Sequence, residues 1–130
     1  MISENALSNI IIREAINVHK LLGPGLLEAV YMNCLYDKLI NCGLKVKKEC
    51  PIPVFFGGRR MECGYRADLV VEDKVIIEVK SIDHILDVHK AQVLTCLKIT
   101  DIRLGLLINF NVVLLKDGIK RIVNNLEESH

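Results

Sequence analysis

The chain has 130 residues, of which 51% are hydrophobic and 25% are charged, and its formal net charge is +1. This length and composition predict one compact domain over residues 1–130 and exclude a disordered chain. The near-neutral charge gives no argument for or against nucleic-acid binding, so any affinity for phosphate must come from local clusters.

The five cysteines are scattered and include no CxxC pair. This spacing argues against a zinc site and a disulfide framework and is typical of reduced thiols. No apolar stretch approaches the roughly 18 residues of a membrane span, and the first residues do not resemble a signal peptide. We therefore expect a cytoplasmic protein with no membrane partner.

Apolar spacing and turn signals predict the order helix, helix, three strands, helix, strand and terminal hairpin. In chain order these elements are predicted over residues 4–22, 26–42, 44–56, 59–71, 74–80, 85–98, 103–110, 112–115 and 119–123. The wide apolar face of the first helix makes a homodimer plausible. The second helix is expected to bury Leu27, Val30, Cys34 and Leu35.

Three charged residues lie within two otherwise apolar strands. Asp68 belongs to the first of them, and Glu78 and Lys80 belong to the next, where strand alternation places both on one face. Charged groups among aliphatic side chains are costly unless they pair or bind a cation. Mg²⁺ binds carboxylates and phosphate, and a neighbouring lysine can orient a water. The trio predicts metal-assisted phosphodiester hydrolysis; from spacing alone, a solvated strand face is the alternative.

The register of these two strands decides whether the trio can meet. Asp68 faces the same side as Glu78 only if the numbers of paired residues sum to an even value. Val71 opposite Val75, with a three-residue turn between them, satisfies this condition. A two-residue turn would place Asp68 on the other face unless a bulge intervened.

Basic residues cluster around the first two strands, and their role is open. They are Lys45, Lys47, Lys48, Arg59, Arg60 and Arg66. Lysine commonly protects exposed sheet edges from pairing with other chains. A basic surface that follows a phosphate backbone has the same composition.

Several motifs, in order, resemble those of the GxxExxY protein family, a branch of the PD-(D/E)xK nuclease superfamily. The naming motif is residues 25–31, GLLEAVY, and Ala67-Asp68 followed by Glu78-Val79-Lys80 resembles the nuclease signature. His89 and Gln92 match the third-helix pattern, and GLLINF matches a buried strand. The resemblance covers about residues 23–123.

This resemblance implies an α/β restriction-endonuclease-like fold. Its αβββαβ core would have a mixed central sheet flanked by helices, with an extra N-terminal helix and a C-terminal hairpin. The implied ligands of Mg²⁺ or Mn²⁺ are Asp68, Glu78, the carbonyl group of Val79, and Glu28. Lys80 would position the attacking water, Gln92 would orient Lys80, a water or the phosphate, and Tyr31 would serve packing.

The leading prediction is a metal-dependent nuclease whose partner is DNA or RNA. The alternatives are a non-catalytic nucleic-acid- or protein-binding module that keeps the fold, and a small protein that self-associates through its first helix. Both acids and the lysine of the signature are present, which favours catalysis.

Overall fold

The computed structural model describes residues 1–127, with the side chains of all of these except residues 62 and 63. Residues 128–130, the end of the predicted domain, lie outside the described range. In chain order the elements are α1 (Glu4–Leu22), α2 (Glu28–Asn41), β1 (Val46–Phe56), β2 (Arg59–Val71), β3 (Val75–Lys80), α3 (Asp87–Thr100), β4 (Leu104–Asn109), a 3₁₀ turn (Leu115–Gly118) and β5 (Ile119–Val123). No helix in the described part of the chain is long and apolar enough to cross a membrane.

The five strands form one mixed sheet in the order β1-β2-β3-β4-β5. β3 and β4 are parallel, and the other neighbouring pairs are antiparallel. Two parallel strands need a long crossover connection, and the segment that contains α3 supplies it between β3 and β4. The predicted α/β fold with a mixed sheet is confirmed.

The predicted terminal hairpin is wrong in its first strand. Residues 112–115 do not form a strand, and β5 pairs with β4 instead, from Leu104 opposite Val123 to Ile108 opposite Ile119. The turn at Gly118 lies against the end of β4, where an added Cβ would be 2.1 Å from the carbonyl oxygen of Asn109. A local apolar run resembled a strand, but the free edge of β4 supplied the actual ladder partner.

Helices cover both faces of the sheet. α1 and α2 pack on one face, against side chains that include Leu69 and Ile77, and α3 packs on the other, against side chains that include Ile76 and Leu107. Leu7 and Ile11 of α1 are fully buried in the first of these clusters, and Ile10 and Ile12 pack against it. The face expected to form a homodimer is therefore used by the chain's own core, and the homodimer stays a prediction without this support.

The buried side of α2 is predicted correctly at Leu35 and wrongly at Leu27 and Val30. Leu27 is 78% exposed and Val30 is 39% exposed, whereas Tyr31, Leu35 and Leu39 are fully buried. Tyr31 stacks on Phe110, with 4.4 Å between ring centroids. This contact sets the rotation of the helix, which apolar spacing alone assigned to a neighbouring stripe.

Tyr31 also fixes the loop between α1 and α2. Its hydroxyl donates a hydrogen bond to the carbonyl group of Gly23 and accepts one from the amide of Leu26, at 3.1 Å. Gly23 adopts a left-handed backbone with φ 69°, which suits glycine. The tyrosine of the GxxExxY motif thus determines where α2 begins, in agreement with its predicted packing role.

We expect Tyr31→Phe to lower the free energy of unfolding by about 0.5–1.5 kcal/mol, because it removes the hydroxyl that bonds two part-buried backbone groups of the loop. Tyr36→Phe is the matched control, since the Tyr36 hydroxyl makes no hydrogen bond with the described residues, and we expect a change within about 0.5 kcal/mol. Urea denaturation of both variants measures the difference. Equal stabilities would show that the hydroxyl does not hold the loop.

Candidate active site

The strands β2 and β3 separate at the predicted acidic residues. Their ladder runs from Val71 opposite Val75 to Leu69 opposite Ile77, which confirms the even register. One further step of this register places Asp68 opposite Glu78. There the carboxylate of Asp68 accepts a hydrogen bond from the amide of Val79, at 2.8 Å. Where the two strands part, a side-chain carboxylate rather than a backbone carbonyl group therefore accepts the hydrogen bond of the Val79 amide.

A polar cleft of about 240 Å³ lies at this separation. Its lining residues are Glu28, Ala29, Met32, Glu49, Arg66, Asp68, Glu78, Val79 and Lys80. Five of the six predicted site residues therefore meet in one cleft, contributed by α2, β2 and β3. Asp68, Glu78 and Lys80 are half-buried, whereas Glu28 is exposed.

Gln92 is the predicted site residue that the structure does not bring into the cleft. It is exposed on α3 and is not among the described residues that line the cleft. The part of α3 that approaches Glu78 is Cys96, one turn further along. Burial, together with the charge of Glu78, raises the pKa of the Cys96 thiol to about 11. The role of Gln92 stays a prediction.

Hydrogen bonds between neighbouring segments hold Glu28 over the end of β3. Glu28 is the first residue of α2, directly after the loop that Tyr31 fixes. The hydroxyl of Ser81, which follows Lys80, donates to the carbonyl group of Leu26 at 2.6 Å. The loop before α2 is thereby tied to the segment that carries the lysine.

The segment after Lys80 is fixed by a buried asparagine at the end of β4. The side chain of Asn109 accepts from the amide of Ile82 at 3.1 Å and donates to the Ile82 carbonyl group at 2.9 Å. Lys80 itself pairs with Asn109 in the parallel ladder. The sequence analysis did not single out Asn109, because its role depends on β3 and β4 being neighbours.

Two further charged residues in the cleft were not predicted as site residues. Arg66 lies two positions before Asp68 in β2. Strand alternation places residues with this spacing on one face, so the sequence contained a signal for Arg66. Glu49 of β1 lies opposite Asp68 in the register and has φ 55°. Left-handed backbone is costly for a residue with a side chain and occurs often at functional sites. Only the register of β1 could reveal Glu49.

The two facing carboxyl groups share a hydrogen bond and repel each other when both are charged. Burial, followed by the hydrogen bond and the charge of Asp68, raises the pKa of Glu78 from its ordinary 4.5 to about 8, whereas Lys80 acts in the opposite direction. At neutral pH the protonated form of Glu78 is therefore favoured. A bound proton relieves the repulsion between these acids, and a bound cation would do the same.

The chemistry of these donors fits a hard divalent cation. Mg²⁺ takes one or two protein carboxylates together with waters and phosphate oxygens. Asp68 and Glu78 supply two carboxylates, and the backbone of Val79 lies beside them. Among the side chains that the structure describes, no three His, Cys, Asp or Glu residues form a cluster that could hold a metal ion. The fit therefore rests on a two-carboxylate site rather than on an all-protein cage.

Comparison with known proteins gives one match. A family model described as the PD-(D/E)XK nuclease superfamily matches residues 5–122. No curated protein and no solved structure is significantly similar to the chain. The match is to the superfamily, and membership of its GxxExxY branch stays a prediction.

The shared proton predicts a specific pH dependence of stability without metal. Since the folded chain holds the Glu78 proton more tightly than the unfolded chain does, the free energy of unfolding should fall as pH rises from 4.5 to about 8. At about 1.4 kcal/mol per pKa unit the full shift corresponds to about 5 kcal/mol, and because solvent screens this half-buried group we expect a loss of roughly 2–4 kcal/mol. Urea denaturation across this range, with chelator present, measures it.

Glu78→Gln is the control for this measurement. It keeps the shape of the side chain and removes the titration, so its stability should depend less on pH than that of the wild type. Other titrating groups cancel in the difference between the two curves. Parallel curves would show that the Glu78 pKa is not raised in the folded chain.

Proposed function

Because the chain belongs to the PD-(D/E)XK nuclease superfamily, we propose that it is a metal-dependent nuclease that hydrolyses the phosphodiester bonds of nucleic acid. The observation that carries this proposal is the meeting of Asp68, Glu78 and Lys80 in one cleft where β2 and β3 part. The acids face each other across the strands, and the lysine follows on the same face.

The charge of the cleft supports the binding of a cation. Four carboxyl groups line it, against one arginine and one lysine. A phosphate would be repelled from such a cleft unless a cation offset the excess of negative charge. Nucleases of this superfamily generally use divalent metal ions.

We propose Mg²⁺ or Mn²⁺ as this ion. Asp68 and Glu78 would hold it, with the carbonyl group of Val79 and the carboxylate of Glu28 as further contacts. When bound, the ion would supply Lewis-acid activation of a water and charge neutralisation at the phosphate.

The other residues of the cleft have separate proposed roles. Lys80 orients the attacking water and contributes to general acid–base catalysis of its attack. Arg66 binds phosphate oxygens, for which a guanidinium is suited by its planar set of donors. Gln92 stands outside the cleft on the side of α3 that carries Cys96, so we propose that it contacts the phosphate rather than the metal.

A non-catalytic nucleic-acid- or protein-binding module is the second candidate function. One observation favours it: the described side chains, which exclude those of residues 62 and 63, form no three-ligand metal cluster. A protein that only binds would tolerate a protonated Glu78, whereas a nuclease must exchange that proton for a cation. Metal binding and cleavage therefore separate the two candidates.

We expect Mg²⁺ or Mn²⁺ to stabilise the folded chain, by about 2.7 kcal/mol at a concentration one hundred times the Kd. Asp68→Asn should abolish this gain, because it removes one charged ligand and leaves the shape unchanged. Asp37→Asn, an exposed residue of α2 outside the cleft, should keep it. Thermal denaturation with each ion and with chelator measures the gain. An equal gain in both variants would place the ion elsewhere.

We expect the wild type to cleave plasmid, linear duplex, single-stranded DNA or RNA with Mg²⁺ or Mn²⁺, and not with chelator. Lys80→Met should slow cleavage by about 10²–10⁴-fold, the usual contribution of a positioned acid–base group. Lys98→Met, an exposed residue of α3, should leave the rate unchanged. Gel analysis of the products measures the rates. Equal cleavage by wild type and Lys80→Met would indicate a contaminant and support the binding module.

A further inference from the structure

The strands β1 and β2 continue well beyond the rest of the sheet. The β2–β3 ladder ends at Leu69, whereas β1 and β2 remain paired out to Phe56 opposite Arg59. A register shift lies between Ile52 and Val54. We call residues 53–66, which extend past this end of the sheet, the hairpin arm.

The arm exposes three of the chain's six aromatic side chains. Phe55 is 60% exposed, Phe56 is 78% exposed and Tyr65 is 40% exposed. In contrast, Tyr31 and Phe110 are fully buried in the core. Clustered exposed rings are unusual on a folded domain and mark a surface that binds a partner.

Each face of the arm combines a ring with a guanidinium. Phe55 is the register partner of Arg60, and Phe56 is the register partner of Arg59, so each pair lies on one face. Neither arginine makes an ion pair with a described side chain. In contrast, Lys45 and Lys47, which lie nearer the sheet, both form ion pairs with Asp73. For these two lysines the structure favours edge protection over phosphate binding.

The arm is continuous with the cleft. Arg66 lines the cleft, and its register partner Pro51 borders a neighbouring depression. Arg60 and Tyr65 line the same depression. Cations and rings therefore follow one another from the cleft to the tip of the arm.

We propose that the hairpin arm binds single-stranded nucleic acid that wraps around both faces of its tip, with bases stacked on Phe55 on one face, on Phe56 on the other and on Tyr65, and with phosphates bound by Arg59, Arg60 and Arg66. Cationic side chains interleaved with rings are the usual means of binding a single strand, because unpaired bases offer free faces for stacking. A duplex offers none along its length. A symmetric contact between two arms would bring unpaired arginines together, which argues against a second copy as the occupant.

The proposed function is needed only for the further step that the strand bound by the arm is also the substrate of the cleft. The binding itself needs neither metal nor cleavage, so the two can be tested apart.

The test measures the anisotropy of a labelled single strand and of its duplex with the full-length chain, in chelator. We expect the single strand to bind more tightly than the duplex, and Phe55→Ala with Phe56→Ala to weaken it on the order of tenfold. Val113→Ala is the matched control, because it removes an apolar side chain that is 87% exposed away from the arm. Arg60→Gln should reduce the slope of log affinity against log salt by about 0.7.

Unchanged single-strand affinity in the aromatic variant would overturn the proposal. It would also be overturned if the wild type bound duplex more tightly than single strand and the aromatic variant weakened both by the same factor. A change in molecular mass of the same variant in light scattering, without a loss of binding, would also overturn it and make the arm a self-association surface. Circular dichroism and thermal denaturation confirm that the variants fold. If the wild type binds single strand through the arm but cleaves no substrate, the proposed function fails and the binding role of the arm stands. If the wild type cleaves and the arm variants change neither binding nor the cleavage rate, only the binding role of the arm fails.

Discussion

The structure depends on one interruption of a β-ladder. β2 and β3 pair up to Leu69 and Ile77, and at the next step the carboxylate of Asp68 accepts the hydrogen bond of the Val79 amide. A central strand normally satisfies its amides with a neighbouring backbone, whereas here a half-buried acid takes that role and faces the acid opposite it. Burial of Glu78, followed by the hydrogen bond and the charge of Asp68, raises the pKa of Glu78. The cleft forms because β2 and β3 stop pairing at this point, and it is acidic because Asp68 and Glu78 lie there.

The rest of the fold holds this opening in place from three sides. Tyr31 fixes the loop that starts α2 and therefore the position of Glu28, while Ser81 ties that loop to the end of β3. On the sheet side, Asn109 holds the segment after Lys80. From the other face, α3 brings the thiol of Cys96 close to Glu78, where burial keeps it neutral. These contacts come from segments far apart in the chain, so the site forms only when the whole domain is folded.

The cleft and the hairpin arm place two kinds of charge next to each other. Acids predominate in the cleft, whereas arginines without described ion-pair partners predominate along β2 towards the tip. A polyanion would be attracted by the arm and repelled by the cleft until a cation occupied it. Under the proposed function, nucleic-acid binding by the arm and metal binding by the cleft are therefore separate requirements. This separation explains how one fold can serve either a nuclease or a binding module, depending on whether the acids take up the ion.

The sequence by itself determined the helices, the five strands and the acid–acid–lysine trio, and it set the even register of β2 and β3 as the condition for that trio to meet. These follow from local periodicity and turn length, which are properties of neighbouring residues. It did not determine which side of α2 is buried, because the stacking of Tyr31 on Phe110 decides that. Nor did it place β5 beside β4, Glu49 in the cleft or Gln92 outside it. Each of those depends on the position of a partner distant in the chain, and only the tertiary structure supplies that partner.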